Sequence, residues 1–394
     1  MTMKLRTSSP QVAKRVMLLL AAAMLTSLGQ AQQAAAKQSI AFQRAAHIRR
    51  GVNLSMWYAQ DGDLYNADGG AEKLASYIKP ADFKLVHDLG FDHVRLSIDP
   101  QPLIADAQQG TLRPEAIARL DETVRQITAT GLVVVLDIHP EGAFVKATET
   151  TLEGTQRFFA FWKSFAAHYA GTNPEQVYFE VMNEPHEVDP YRWAGEQARA
   201  VAVIRAQAPQ HTIIATGEGY GGIDGLLELE PVRDENVIYS FHDYEPMVFT
   251  HQGATWAGDA LKPLRGVPYP STPENVAPLL ATLTEADTQS QLADYGNKRW
   301  DQARMAARIG QAVAWAKARN VPLWCGEFGV YKAFAPAEGR YRWLADMRKT
   351  LEADGVGWDM WDYRGGFALV TEKDGVATVD PGVAAALGVG SGRL

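Results

Sequence analysis

Eight short apolar runs, each followed by a connecting stretch before the next, set the strongest limit on what this 394-residue chain can fold into. The runs lie near Gly51 to Leu54, His93 to Ser97, Val133 to Ile138, Val177 to Met182, Thr212 to Thr216, Val237 to Phe241, Pro322 to Gly326 and Gly357 to Trp361. Between them, helical spacing falls over Pro80 to Leu89, Pro114 to Thr130, Thr151 to Tyr169, Tyr191 to Ala208, Trp300 to Arg319 and Tyr341 to Asp354, with a short fifth crossover around Gly222 to Leu229. Short apolar strands alternating with helices make βα units on a parallel sheet, and eight of them in about 340 residues match a closed (β/α)8 TIM barrel, a single α/β domain. An open doubly wound sheet would need a glycine-rich phosphate turn after an early strand, and no strand end supplies one. The glycines of "GEGYGG", Gly217 to Gly222, have no clean helix start behind them and read as a loop.

The chain opens with Lys4, Arg6, Lys14 and Arg15, an apolar core from Val16 to about Leu28, and small residues ending at Ala31. That order is a secretory signal peptide over 1–31, too short and wrongly flanked for a spanning helix, with an uncleaved anchor as the competing reading. A polar leader is expected over 32–46, the barrel over 47–384 and a flexible tail over 385–394. Removing 1–31 takes four basic side chains and no acidic ones, leaving 34 Lys+Arg against 46 Asp+Glu, a net charge of −12. A chain that acidic repels phosphate backbones, and no basic run localises an exception, so nucleic acid is excluded as a partner and a neutral ligand fits better. Cys325 is the only cysteine, which rules out an internal disulfide and a cysteine metal cluster. Inside "PLWCGEF" it reads as a small buried hydrophobe. A secreted or periplasmic monomer without a membrane anchor after cleavage is the expected state. The long polar insert from about Pro246 to Asn297 is expected to wall the barrel mouth.

In a barrel of this type the carboxyl ends of the strands converge on one face, so residues that carry chemistry belong at strand ends. Arg95 interrupts the second apolar run, "HVRLSID"; His139 closes the third; Asn183 and Glu184 close the fourth, "VYFEVMNEPHE"; His242 and Tyr244 close the sixth, "IYSFHDYEP"; Glu327 closes the seventh and Trp361 the eighth. Each alone has an ordinary structural reading: an arginine paired in the core, a satisfied histidine, a packed tryptophan. Six of eight strands delivering such residues to one rim point to a site. Two glutamates with these neighbours suit glycosidic bond cleavage, in which one acid protonates the leaving oxygen and a second carboxylate attacks the sugar or activates water. Carboxyls about 5 to 5.5 Å apart would give retention of configuration, and a wider gap inversion. No cofactor is called for. A metal-dependent hydrolase using His139, His242, His251 and Asp243 is an alternative without an HExxH-like pair on one helix. A non-catalytic sugar-binding barrel is another, and it predicts loss of Glu184 or Glu327, both of which are present.

At these residues the chain resembles glycoside hydrolase family 5, retaining β-glycanases of the large cellulase clan. The "NEP" of Asn183 to Pro185 and the "GEFG" of Gly326 to Gly329 match the family's two signatures, 143 residues apart from Glu184 to Glu327, and the arginine, the histidine and the "HDY" stand in order around them. The similarity covers roughly residues 47 to 370. The resemblance implies Glu184 as acid/base and Glu327 as nucleophile. It implies Arg95 and Tyr244 as the groups holding Glu327, Asn183 at the sugar's 2-hydroxyl, His242 tuning Glu184, His139 binding a sugar hydroxyl and Trp361 flooring the glycone subsite. Trp57 and Tyr58 after the first strand, Tyr220 after the fifth and Trp256 in the insert are further candidates for the walls. "THQGATW", Thr250 to Trp256, resembles a segment of some bacterial members. Many members carry a second histidine beside the one on the third strand, whereas here Ile138 and Pro140 flank His139. No carbohydrate-binding module follows the barrel, so a soluble or amorphous β-glucan or an exopolysaccharide is the expected substrate. The implied activity is endo-β-1,4-glucanase, with β-mannanase and β-1,3-glucan hydrolase as alternatives, no cofactor and no metal.

Overall fold

A computed structural model describes residues 39–66, 68–186, 189–373 and 376–390; the segment read as a signal peptide, 1–31, lies outside them. All eight expected strands are present: β1 (Arg50–Tyr58), β2 (His93–Ile98), β3 (Val133–Ile138), β4 (Val177–Glu180), β5 (Ile213–Thr216), β6 (Val237–His242), β7 (Leu323–Phe328) and β8 (Gly357–Met360). Each pairs in parallel with the next, and β1 closes on β8 through Arg50 with Trp358, Gly51 with Asp359 and Val52 with Met360. The result is the (β/α)8 barrel that the pattern of runs predicts.

Along the regular part of each strand the side chains alternate between two cores. Val134, Leu136 and Ile138 of β3 face the surrounding helices, while Val133 and Val135 join Ile48, Tyr178, Ile214, Ile238 and Trp324 in a small cluster inside the barrel. Continuing that inward set up β3 brings Asp137 and then His139 to the axis, and the same step on β2 runs His93, Arg95, Ser97. Apart from the His93–Asp359 pair, the barrel interior is thus apolar low down and polar towards the carboxyl ends, which is where a site can form without burying unpaired charge in a greasy layer. Outside, helix Pro114–Ala129 buries Ala116, Ile117, Leu120, Val124 and Ile127 on one stripe, and helix Leu152–Tyr169 buries Phe158, Phe161, Trp162 and Phe165.

The chain ends and the insert differ from the sequence reading. Helix Ile40–Ala45 lies within the stretch read as leader: Arg44 is buried and paired with Glu175 at 2.7 Å, and the Tyr178 hydroxyl donates to the Arg44 carbonyl at 3.2 Å. At the other end, helix Pro381–Leu387 packs on helix Ala337–Ala353, with Val383, Leu387 and Val389 buried, so the fold runs past residue 385 into the expected tail. A polar leader and a flexible tail are what these Ala/Gln-rich and Gly/Ala-rich stretches suggest, because each buries only a few side chains. The insert is also more structured than a polar wall, since helices Pro273–Leu280 and Ala286–Lys298 bury Val276, Leu292 and Tyr295. Among the described residues no helix is long and apolar enough to cross a membrane.

One polar cluster sits at the amino-terminal end of the barrel. His93 is fully buried between Asp92 and Asp359, each 2.5 Å from one ring nitrogen. A Cβ on Gly51 would stand 2.3 Å from Asp359 Oδ1, so only glycine lets β1 pass this pair. Burial alone would lower the His93 pKa, but the two carboxylates outweigh it and raise it to about 9. A raised histidine contributes stability that is fully present below its unfolded pKa of about 6.5 and is lost as pH rises through about 9, an effect on the order of 3 kcal/mol. The melting temperature is therefore expected to fall between pH 7 and pH 10, and His93→Gln should lower stability and flatten that slope. Thermal melts across this range check it, and a flat wild-type profile would count against the charged pair.

Candidate active site

Arg95 organises the carboxyl-terminal end of the barrel. Its guanidinium is fully buried and donates through Nε to Glu180 Oε2 at 2.7 Å, through Nη2 to Glu180 Oε1 at 2.9 Å, and through Nη1 to Asn53 Oδ1 at 2.9 Å and Glu327 Oε1 at 2.7 Å. Nη2 also reaches Asn183 Oδ1 at 2.8 Å and Asp137 Oδ2 at 3.0 Å. One cation therefore faces three carboxylates, those of Asp137, Glu180 and Glu327. Burial pushes Asp137 up to about 7 against the pull of Arg95, and it raises Glu180 against the same pull.

Glu327 stands at the end of β7 with a second donor, the Tyr244 hydroxyl at 2.7 Å from Oε2. Burial, and after it the Glu327 charge, hold the Tyr244 phenol well above its ordinary pKa, so it remains a donor. Glu184 lies across the axis just past β4. Its backbone φ is +40°, a left-handed conformation that costs a glutamate about 1 to 3 kcal/mol and that clusters at functional sites. Neighbouring bonds pin the turn: Asn183 N–H donates to the Ile138 carbonyl at 2.8 Å, His186 N–H to Glu149 Oε1 at 3.0 Å, and Tyr220 N–H to the Pro185 carbonyl at 3.0 Å. Pro185 then ends the strand. His242 bridges the two glutamates, its Nδ1 2.9 Å from Glu184 Oε1 and 3.7 Å from Glu327 Oε2. Ligating atoms of Glu184, His242 and Glu327 all lie within 4.8 Å of one another.

The two carboxyls have different surroundings. Glu327, 5% exposed, accepts from a guanidinium and a phenol, which favour its ionised form. Glu184, 29% exposed, has His242 as its one side-chain hydrogen-bond partner among the described residues, and burial lowers that imidazole to about 4, leaving it neutral. Burial raises the pKa of both glutamates; His139 and Arg95 oppose it at Glu184, and His242 and Arg95 oppose it at Glu327, where the Glu184 charge adds to the rise. Two carboxyls this close disfavour a shared double charge, and the donors around Glu327 make Glu184 the one that binds a proton more readily.

Around this centre the aromatic candidates divide. Trp361 follows β8, is 8% exposed, and lies stacked on His139 at 5.8 Å between centroids. Tyr220 is 60% exposed and stacks at 4.4 Å on His186, two residues after Glu184. Trp256 is 61% exposed and meets Tyr331 edge-on at 5.0 Å; Tyr331 packs on Phe367, which packs on Tyr244. Trp57 and Tyr58 are not walls of the site. Trp57 is 2% exposed, donates to the Leu74 carbonyl at 3.0 Å and packs near Phe83, and the Tyr58 hydroxyl bonds Thr123 Oγ1 at 2.9 Å. Both fall on the helix-facing side, and the residue β1 presents at its upper end is Met56, exposed and at φ +56°.

The metal alternative loses its ligand set. His139 Nδ1 is 2.8 Å from Asp137 Oδ2, Asp243 is paired with Arg308 at 3.1 Å and His251 Nδ1 is 3.0 Å from Thr250 Oγ1. Among the described residues the group that converges is Glu184, His242 and Glu327 instead. Asp137, Glu180 and Asn53 were missed in the sequence reading, although the inward alternation of β3 and β4 marks the first two.

The family model for cellulase, glycosyl hydrolase family 5, matches residues 63–365. Endoglucanase C of Acetivibrio thermocellus is 28% identical over 323 residues, 80% of this chain and 91% of that protein. Among solved structures, Cel5A of Thermotoga maritima in complex with cellobiose is 25% identical with a TM-score of 0.72, covering 88% of this chain and 99% of that one. The same protein in complex with mannotriose superposes with a TM-score of 0.70 at 25% identity and the same coverage.

Proposed function

This chain belongs to glycosyl hydrolase family 5, the cellulase family, and on that premise we propose that it is an endo-β-1,4-glucanase that cleaves soluble or amorphous β-glucan by double displacement. Glu327 is the nucleophile: its carboxylate attacks the anomeric carbon and forms a glycosyl ester as the C–O bond to the leaving sugar breaks. Glu184 is the acid, giving its proton to the leaving oxygen, and then the base, taking one from the water that hydrolyses the ester. The observation that carries this reading is the convergence of the two glutamates on one point of the axis, each with a carboxylate oxygen within 4.8 Å of the other's, near the about 5 to 5.5 Å carboxyl spacing of retaining enzymes. Arg95 and Tyr244 hold Glu327 ionised and His242 stays neutral beside Glu184. Asn183 meets the 2-hydroxyl of the sugar in the glycone subsite, where the contact tightens in the transition state. Trp361 supports that sugar's apolar face; Tyr220 and Trp256 extend the cleft. Secretion after cleavage near Ala31, and action as a monomer, belong to the same reading.

A second reading, β-mannanase, is favoured by one observation, the mannotriose complex of the structurally similar Cel5A. Reducing-sugar release from carboxymethylcellulose, glucomannan, mannan and laminarin separates the readings. The expected order is carboxymethylcellulose and glucomannan well above mannan, with laminarin negligible, and a rapid fall in viscosity marking internal cuts. Mannan as the best substrate would replace glucanase by mannanase; products of inverted configuration would remove the double-displacement mechanism.

A further inference from the structure

Four side chains below the two glutamates are linked by three hydrogen bonds, each with a determined direction, and the ring is closed by an ion pair. Arg95 has donors only, so Asn183 must turn its Oδ1 to Nη2, at 2.8 Å. That leaves the Asn183 amide nitrogen facing His139 Nε2 at 3.1 Å, where it can only donate, so Nε2 carries no proton. The His139 proton is then on Nδ1, which donates to Asp137 Oδ2 at 2.8 Å, and the same oxygen is ion-paired with Arg95 Nη2 at 3.0 Å. Arg95 and Asp137 are fully buried, and His139 and Asn183 are nearly so. Both ring nitrogens of His139 are engaged inside the protein, and one N–H of Asn183 is left over.

We infer that Asp137 and His139 are positioning residues for Asn183, whose remaining N–H they aim at the 2-hydroxyl of the reacting sugar. Resting on the proposed hydrolase reading, this replaces the role of His139 as a direct ligand of a sugar hydroxyl. The logic is that of an aspartate fixing a histidine tautomer: without the acceptor at Nδ1 the proton is free to move to Nε2, where it points at the Asn183 amide and turns it out of line. Asparagine at 137 can keep an oxygen at the Oδ2 place and preserve the ring, whereas alanine cannot.

The experiment compares an aryl β-cellobioside with its analogue lacking the 2-hydroxyl on the sugar that is cleaved from the aryl group. In the wild type the preference in kcat/KM for the hydroxyl-bearing substrate should be large. Asp137→Ala should shrink that preference by about tenfold, the worth of one aligned hydrogen bond, while Asp137→Asn should keep it within about threefold. A purely structural role would slow both substrates alike and leave the ratio untouched, which would overturn the inference. A wild type that does not discriminate would overturn the Asn183 reading first, and this one with it. Should Asp137→Ala not fold, the tautomer decides: 15N spectra of selectively labelled histidine should find His139 neutral and protonated on Nδ1, and a proton on Nε2 refutes the ring.

Discussion

Replacing Glu327 by alanine should abolish turnover of every substrate, a loss on the order of 100,000-fold in kcat, because no other carboxylate near the axis can take its place as nucleophile. Replacing Glu184 should do something different. On polysaccharide, where the departing sugar alkoxide needs a proton, Glu184→Ala should lose about 100- to 10,000-fold, the usual worth of a general acid. On an aryl glycoside whose phenolate leaves unaided, formation of the glycosyl ester should survive while its hydrolysis slows for want of a base. The ester then accumulates: a burst of phenolate is followed by a slow steady state, with kcat and KM falling together. Azide, which needs no deprotonation, should restore turnover of the ester.

The pH profile carries the same signature. The acid form of Glu184 is the active one, and burial raises its pKa, so wild-type activity should fall as pH rises through that value. In Glu184→Ala, acting on the aryl substrate, the alkaline limb of kcat/KM should vanish. Equal damage to both substrate types, or an unchanged alkaline limb, would show that the acid has been assigned to the wrong residue. Stopped-flow traces and a pH series on the two variants make the measurement.

What the chain discloses before folding follows from where its signals are strong. The eight strands were legible because each carries an apolar run buried on both sides, even where β1 exposes Met56 near its end, and the rim residues were legible because proline, glycine and charge follow such runs abruptly, as at Glu184 and Glu327. Asp137 and Glu180 were harder to see. They lie inside the runs "VVVLDI" and "VYFE", where the eye reads a continuous hydrophobic strand, yet they occupy the inward parity that Val133, Val135 and Tyr178 share. At Trp57 and Tyr58 the alternation itself fails: β1 shifts register between Leu54 and Tyr58, with Met56 at φ +56°, and both rings join the helix-side core although the strand end suggests access to the cleft. The helices inside the insert were missed because polar surface dominates their composition and only a few residues each, such as Leu292 and Tyr295, reach the core.

Arg95 couples the stability of the barrel to its chemistry, and removing it should damage both. In Arg95→Met the carboxyls of Asp137, Glu180 and Glu327 lose their shared cation in a fully buried place, and breaking a buried pair from one side costs about 3 to 5 kcal/mol. Protonation is the only relief open to those acids, so Glu327 should become a neutral, poor nucleophile and the acid limb of activity should move to higher pH. Lysine is not a substitute, since one ammonium cannot reproduce a fork that reaches Glu180 through two nitrogens and Glu327 through the third. The two consequences separate in a double variant. Adding Glu180→Met to Arg95→Met removes one of the stranded charges with its partner and should recover part of the lost stability, because replacing both members of a buried pair is far milder than removing one. Activity should not recover, since Glu327 still lacks its guanidinium. Denaturant melts and pH–rate profiles on the single and double variants test this. If the double variant regained turnover along with stability, Arg95 would be a structural counterion alone and Glu327 would owe its charge to Tyr244.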